Sequence, residues 1–138
     1  MRTIKFRGKD LSTGEWRYGD LVQYNEDGVK YTTIFADELR GHTYAVDQDT
    51  VGQSTCLFDM NGKEIYEGDI LACTTEPNKC VIEWNKRLVQ FQATWDNMPM
   101  TAADIFYCII RRGYTVIGNI HDNPNYLSSQ MQKKLLND

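Results

Sequence analysis

Asp10-Leu-Ser-Thr-Gly-Glu-Trp-Arg-Tyr-Gly-Asp-Leu-Val22 and Asp59-Met-Asn-Gly-Lys-Glu-Ile-Tyr-Glu-Gly-Asp-Ile-Leu71 are one pattern written twice without a gap. Identity falls at Asp10/Asp59, Glu15/Glu64, Gly19/Gly68 and Asp20/Asp69. Apolar character agrees at Leu11/Met60, Trp16/Ile65, Leu21/Ile70 and Val22/Leu71. Each copy predicts a turn, a short strand, a Gly-Asp bend and a second strand. Gly19 and Gly68 supply backbone freedom at the bend, and Asp20 and Asp69 hydrogen-bond backbone N–H groups across it. These acids, with Glu15 and Glu64, would have to converge to hold a divalent cation. Their spacing is not that of a calcium loop, so the pattern describes a folding unit.

Outward from the repeat, strand signals dominate. Ile4 and Phe6 alternate with Lys5, Arg7 and Lys9, which predicts a half-buried strand with its basic side in solvent. Asn25 to Gly28 is a turn before the β-rich run Val29 to Phe35, and Thr43 to Val46 forms a further short strand. Asn61-Gly62 reads as a two-residue hairpin turn. Lys79–Trp84 and Leu88–Trp95 pair across residues 85–87, with Val89, Phe91, Ala93 and Trp95 on one face. Thr101 to Ile110 fits either a short helix opened by a capping box or a buried strand. Tyr114–Ile120 is a last strand, and a helix over about 124–136 follows, with Pro124 in its first turn. No linker or low-complexity stretch divides the chain, so one mainly β domain over 1–138 is expected, built of short antiparallel strands with a short C-terminal helix.

Composition bounds the function. The chain has 138 residues, ample for a core without disulfides or metal. A net charge of −4 counts against a protein devoted to gripping phosphate backbones. The N-terminus lacks a signal-peptide core and no apolar run matches a bilayer, so a cytoplasmic, reduced protein is expected. Cys56, Cys73, Cys80 and Cys108 form no Cys-x-x-Cys pair, and His42 and His121 have no partner nearby in sequence, so no zinc or other cofactor is expected. Phosphate-binding, nucleophile-elbow and metalloprotease motifs are missing, which counts against an enzyme.

Two surfaces remain as candidates. Lys5, Arg7 and Lys9 form a basic ladder at about 6.5 Å spacing, close to that of successive phosphates, and Trp84 beside Lys86 and Arg87 adds a stacking group. Leu127, Met131 and Leu135 form one apolar stripe, which either docks on the parent sheet or faces a neighbouring subunit.

The blocks Ile4–Arg7, Tyr18–Leu21, Val46–Gln53, Asp59–Ile70 and Tyr114–Pro124 are similar, in order, to those of YopX-like proteins, found mostly in phages and prophages of bacteria. Residues 74–112 match that pattern poorly. The resemblance implies strongly bent, coiled antiparallel sheets with SH3-like barrel units. It carries no established activity, substrate or cofactor, so no catalytic residue is transferred. The expected role is binding or assembly, through protein contacts or self-association ahead of nucleic acid.

Overall fold

The computed structural model describes residues 1–36, 41–97 and 99–137. The fold is mainly β and antiparallel, as the strand signals predict. Its residues fall into two compact units, Met1–Cys56 and Leu57–Asp138, and each unit holds one copy of the repeat.

The first unit contains β1 (Phe6–Lys9), β2 (Trp16–Glu26), β3 (Val29–Ala36), β4 (His42–Ala45) and the start of β5 (Gly52–Phe58). They lie in the order β4-β3-β2-β1-β5, a meander whose first strand also pairs with β5. β2 is shared: Trp16–Gly19 pairs with β1, and Asp20–Glu26 pairs with β3. Ile34, Ala36 and Val46 supply the buried apolar groups.

The second unit opens with β6 (Glu64–Tyr66) and continues through β7 (Asp69–Cys73), β8 (Glu76–Asn85), β9 (Gln90–Trp95), β10 (Ala102–Ala103), α1 (Ile105–Arg112), β11 (Thr115–Asn119) and α2 (Ser129–Leu136). Strands β10-β9-β8-β7-β11 form one sheet. Alternation along β8 serves two layers. Cys80 and Ile82 join Ala93, Ile105, Cys108, Ile109 and Tyr114 on the α1 side. Val81 joins Ile70, Leu127 and Met131 on the α2 side. β10 and β11 do not pair with each other, so this sheet stays open; no closed SH3-like barrel forms among the described residues.

The repeat is realised differently in its two copies. In the second, residues 67–68 make the predicted bend, Gly68 sits at φ +94°, and the Asp69 carboxylate accepts a hydrogen bond from the Tyr66 N–H at 2.8 Å. In the first, Gly19-Asp20 lies within the continuous strand β2, with no turn there, at the point where pairing passes from β1 to β3 and Gly19 stands at φ +155°. The reason is β3, which pairs with Asp20 and the residues after it and carries the strand on. The turn at Asn61-Gly62 also differs from expectation. Asp59 N donates to Lys63 O, which closes a loop of three residues, with Gly62 at φ +80°.

Helix boundaries follow caps that the pattern alone did not single out. Asp104 caps α1, accepting from Tyr107 N at 3.2 Å, while Ala102–Ala103 pairs with β9. Thr101 is therefore not the cap. The C-terminal helix does not begin at Pro124. Residues 124–126 make one 3-10 turn, Leu127 is extended and buried, and Ser128 caps α2 by accepting from Met131 N. Asp96 fixes that cap, taking the Ser128 N–H at 2.8 Å and its hydroxyl at 2.6 Å.

Candidate interaction surfaces

The basic ladder of β1 is not a solvent face. Arg7 is buried and its guanidinium lies 4.6 Å from the centre of the Trp16 ring. Lys9 approaches the same ring at 5.8 Å, and Lys5 is half-buried. Ile4, expected inside, is exposed. Cross-strand pairing explains the inversion. Lys9 faces Trp16 and Arg7 faces Tyr18 on β2, so the cationic stems pack on aromatic rings instead of standing in water. Phosphate contact by Arg7 would have to break that packing.

Asp10 closes the neighbouring turn. Hydrogen bonds from Ser12 N and then the Arg17 guanidinium hold its carboxyl below the usual carboxylate range. Asp59, its counterpart, accepts from Asn61 N and Lys63 N at 2.9 Å each, and from Val116 N at 3.0 Å. The shared aspartate is thus a turn anchor in both copies. Among the described residues, no three His, Cys, Asp or Glu side chains are grouped to hold a metal ion.

The Leu127/Met131/Leu135 stripe lies against its own sheet. Leu127 and Met131 are buried with Ile70 and Val81, and Leu135 packs at their edge. The surface it could have offered a neighbouring subunit is used inside the unit.

Two other surfaces are open. The first is the arm formed by the far ends of β2 and β3, where every residue from Val22 to Tyr31 is exposed although the strands are regularly paired. Register places Tyr24 opposite Tyr31, and their rings stack at 5.1 Å with a 20° interplanar angle. Val22 and Val29 share that face. Beyond Gly19, β1 no longer covers β2, and β4 reaches β3 only from Thr33 onward. Both outer edges of the arm therefore lack a further paired strand among the described residues. Sequence pattern predicted these strands, but not that they outrun their neighbours, because overhang depends on the lengths of β1 and β4.

The second is the β8–β9 tip, where the turn occupies residues 86–89, later than residues 85–87. Trp84 is exposed and meets Phe91 edge-on at 5.0 Å; Lys86 and Arg87 are exposed beside it. Leu88 and Val89 form the apex, 58% and 71% exposed. Val89 leaves the predicted strand and stands at φ +55°, an unfavourable conformation for a β-branched residue. Of the proposed nucleic-acid residues, the structure brings Trp84 at the end of β8 together with Lys86 and Arg87 in the turn at one exposed tip, while Arg7 is withdrawn against Trp16.

A polar cleft of about 280 Å³ lies in the second unit, lined by Glu76, Asn78, Trp95 and Arg112 among others. Its groups satisfy one another. Arg112 pairs with Glu76 at 3.2 Å, and the Tyr114 hydroxyl donates to Asn78 O at 2.8 Å. Burial, with nearby thiols and Glu76, pushes the Tyr114 phenol up to about 12.

The four cysteines are free. Cys80 and Cys108 lie in the same core cluster, and the neighbouring Cys108 thiol, with burial, pushes the Cys80 thiol up. Hydrogen bonding with Thr75 pulls the half-buried Cys73 thiol down. In native protein a thiol reagent should therefore modify Cys56 and Cys73 first, and Cys80 and Cys108 only on unfolding. Mass mapping after brief labelling checks this; early loss of Cys80 or Cys108 would contradict the packing.

These features define a mainly β protein with exposed aromatic and aliphatic side chains on the β2–β3 arm and the β8–β9 tip. The chain belongs to the YopX family: the family model described as "YopX protein" matches residues 5–128. Among solved structures, protein EF1440 from Enterococcus faecalis is similar, with 25% identity and a TM-score of 0.53 over 93% of this chain and 100% of that one. Among curated proteins, none matches. No helix among the described residues is long and apolar enough to cross a membrane.

Proposed function

We propose that this is a non-enzymatic binding protein of phage or prophage origin that works by protein contacts, including contacts with its own copies, through the β2–β3 arm. The observation that carries this reading is the continuous exposure of residues 22–31 within regular strands bearing stacked tyrosines. A two-stranded ribbon exposed on both faces is marginal in water, and apolar groups on it add nothing to a core. Covering Val22, Tyr24, Val29 and Tyr31 would gain roughly 1 kcal/mol apiece, since about half of each side chain's surface is open. The exposed edges could add main-chain hydrogen bonds to a partner strand.

Sedimentation tests the reading. Wild-type protein should associate at tens of micromolar, and Tyr24→Ser with Tyr31→Ser should associate at least about tenfold more weakly. Its melting temperature should stay within about 4 °C of wild type, because the substituted groups lie outside the core. A wild-type monomer throughout that range, or a variant that associates as tightly, contradicts the proposal.

The exposed Trp84, Lys86 and Arg87 favour a second reading, contact with single-stranded nucleic acid. That reading requires binding of an oligonucleotide that weakens steeply with salt and is lost in Trp84→Ala.

A further inference from the structure

We propose that copies of this chain join head to tail, the Leu88–Val89 tip of one entering a cleft on the first unit of the next. The inference rests on the reading that the protein works by protein contacts, and it names a contact distinct from the arm.

The tip is built to hold its shape. Asn85 Oδ1 accepts from Leu88 N at 2.9 Å, while Asn85 Nδ2 donates to Gln92 Oε1 at 2.7 Å. Gln92 Nε2 donates to Thr94 Oγ1 at 3.1 Å, and the Thr94 hydroxyl donates to Glu83 at 2.5 Å. Glu83 in turn takes the Lys134 ammonium of α2 at 2.8 Å. A chain of polar side chains thus runs across the sheet to the turn. It fixes the turn at the N–H of Leu88, the residue before the strained Val89. Its product is an apex of two aliphatic side chains with Lys86 and Arg87 beside them. No acidic residue occurs between Trp84 and Trp95, in a chain of net charge −4.

The first unit carries a complementary surface. An open cleft of about 410 Å³ is lined by Ile4, Tyr18 and Phe35, with the exposed Asp20 carboxylate and the half-buried Lys5 at its margin. It has room for two aliphatic side chains, and Asp20 offers Arg87 an opposite charge. Phosphate recognition would use Lys86 and Arg87 but would leave Leu88 and Val89 in water. A cleft of mixed lining, with Ile4, Tyr18 and Phe35 beside the Asp20 carboxylate, engages Leu88, Val89 and Arg87 together. Because tip and cleft are different patches, the contact is heterologous and extends from copy to copy unless a ring closes it.

The test is a charge exchange read by sedimentation. Arg87→Glu and Asp20→Arg should each weaken association by about tenfold or more, since each sets like charges against one another. Both substitutions in one chain should restore it, and so should an equimolar mixture of the two single variants. A neutral effect of Arg87→Glu, or failure of the double variant to recover, overturns the head-to-tail contact. If Tyr24→Ser with Tyr31→Ser still weakens association in that case, the arm reading stands without it. Both substituted residues are exposed, so circular dichroism and melting should match wild type and exclude misfolding as the cause.

Discussion

Gly68→Val and Gly19→Val are each expected to lower folding stability by about 3 kcal/mol, for two different physical reasons. At φ +94° Gly68 occupies backbone space that valine avoids, and both of its peptide groups are committed. Its N–H donates to Ile82 O at 2.8 Å and its carbonyl accepts from Ile120 N at 2.9 Å. The chain cannot relax there without releasing one of those bonds. Gly19 lies inside β2, where a Cβ would overlap the carbonyl oxygen of Phe35 on the paired strand. Relief would require β2 and β3 to separate at the base of the arm. Denaturant titration of each variant measures the loss as a lower midpoint at unchanged slope. A neutral result at either position would mean that the backbone there is not held as described.

Asp59→Ala should cost a comparable amount, about 3 kcal/mol or more. The carboxylate is buried and gathers the N–H groups of Asn61, Lys63 and Val116, so its removal leaves three donors without their acceptor. The last of these ties the turn to β11, across a long span of sequence. Asp59→Asn keeps an oxygen and the side-chain shape, and should recover part of the loss. Asp10→Ala should be milder, because the N–H groups it takes, from Ser12 and Thr13, belong to its own exposed turn, whereas Asp59 also takes that of Val116 in β11. Melting curves of the three variants rank them. Equal losses for Asp59→Ala and Asp59→Asn would show that charge, not hydrogen-bond geometry, anchors the turn.

What could be read from the chain follows from how local each signal is. The meander β1–β4 and the β8–β9 hairpin were legible because alternation and turn residues are written into neighbouring positions. The repeat was legible as a pattern, and its turn-anchoring aspartates recur in both copies. Its shape was not, since Gly19 stays in a strand only because β3 pairs beside it, whereas Gly68 bends. Caps at Asp104 and Ser128 carry recognisable residue types, but Ser128 is selected by Asp96, which is remote in sequence. Arg7 misled for the same reason: its neighbour Trp16 lies across a turn, and an arginine stem on an indole ring needs no solvent. The candidate surfaces were partly legible. Trp84, Lys86 and Arg87 stand together in the sequence as in the structure. The arm's exposure depends on where β1 and β4 stop, and no residue within the arm encodes that.

Amide hydrogen exchange of residues 22–31 at increasing protein concentration tests the central claim most directly. In dilute protein the outer-edge amides of the arm should exchange quickly, because no further strand among the described residues pairs with them. If the arm is the contact surface, their protection should rise with concentration in wild type, and stay low in Tyr24→Ser with Tyr31→Ser. Core amides such as those of Ile70 and Val81 should not change. Exchange in the arm that is equally fast at every concentration would contradict the account, and would leave the stacked tyrosines without a role in association.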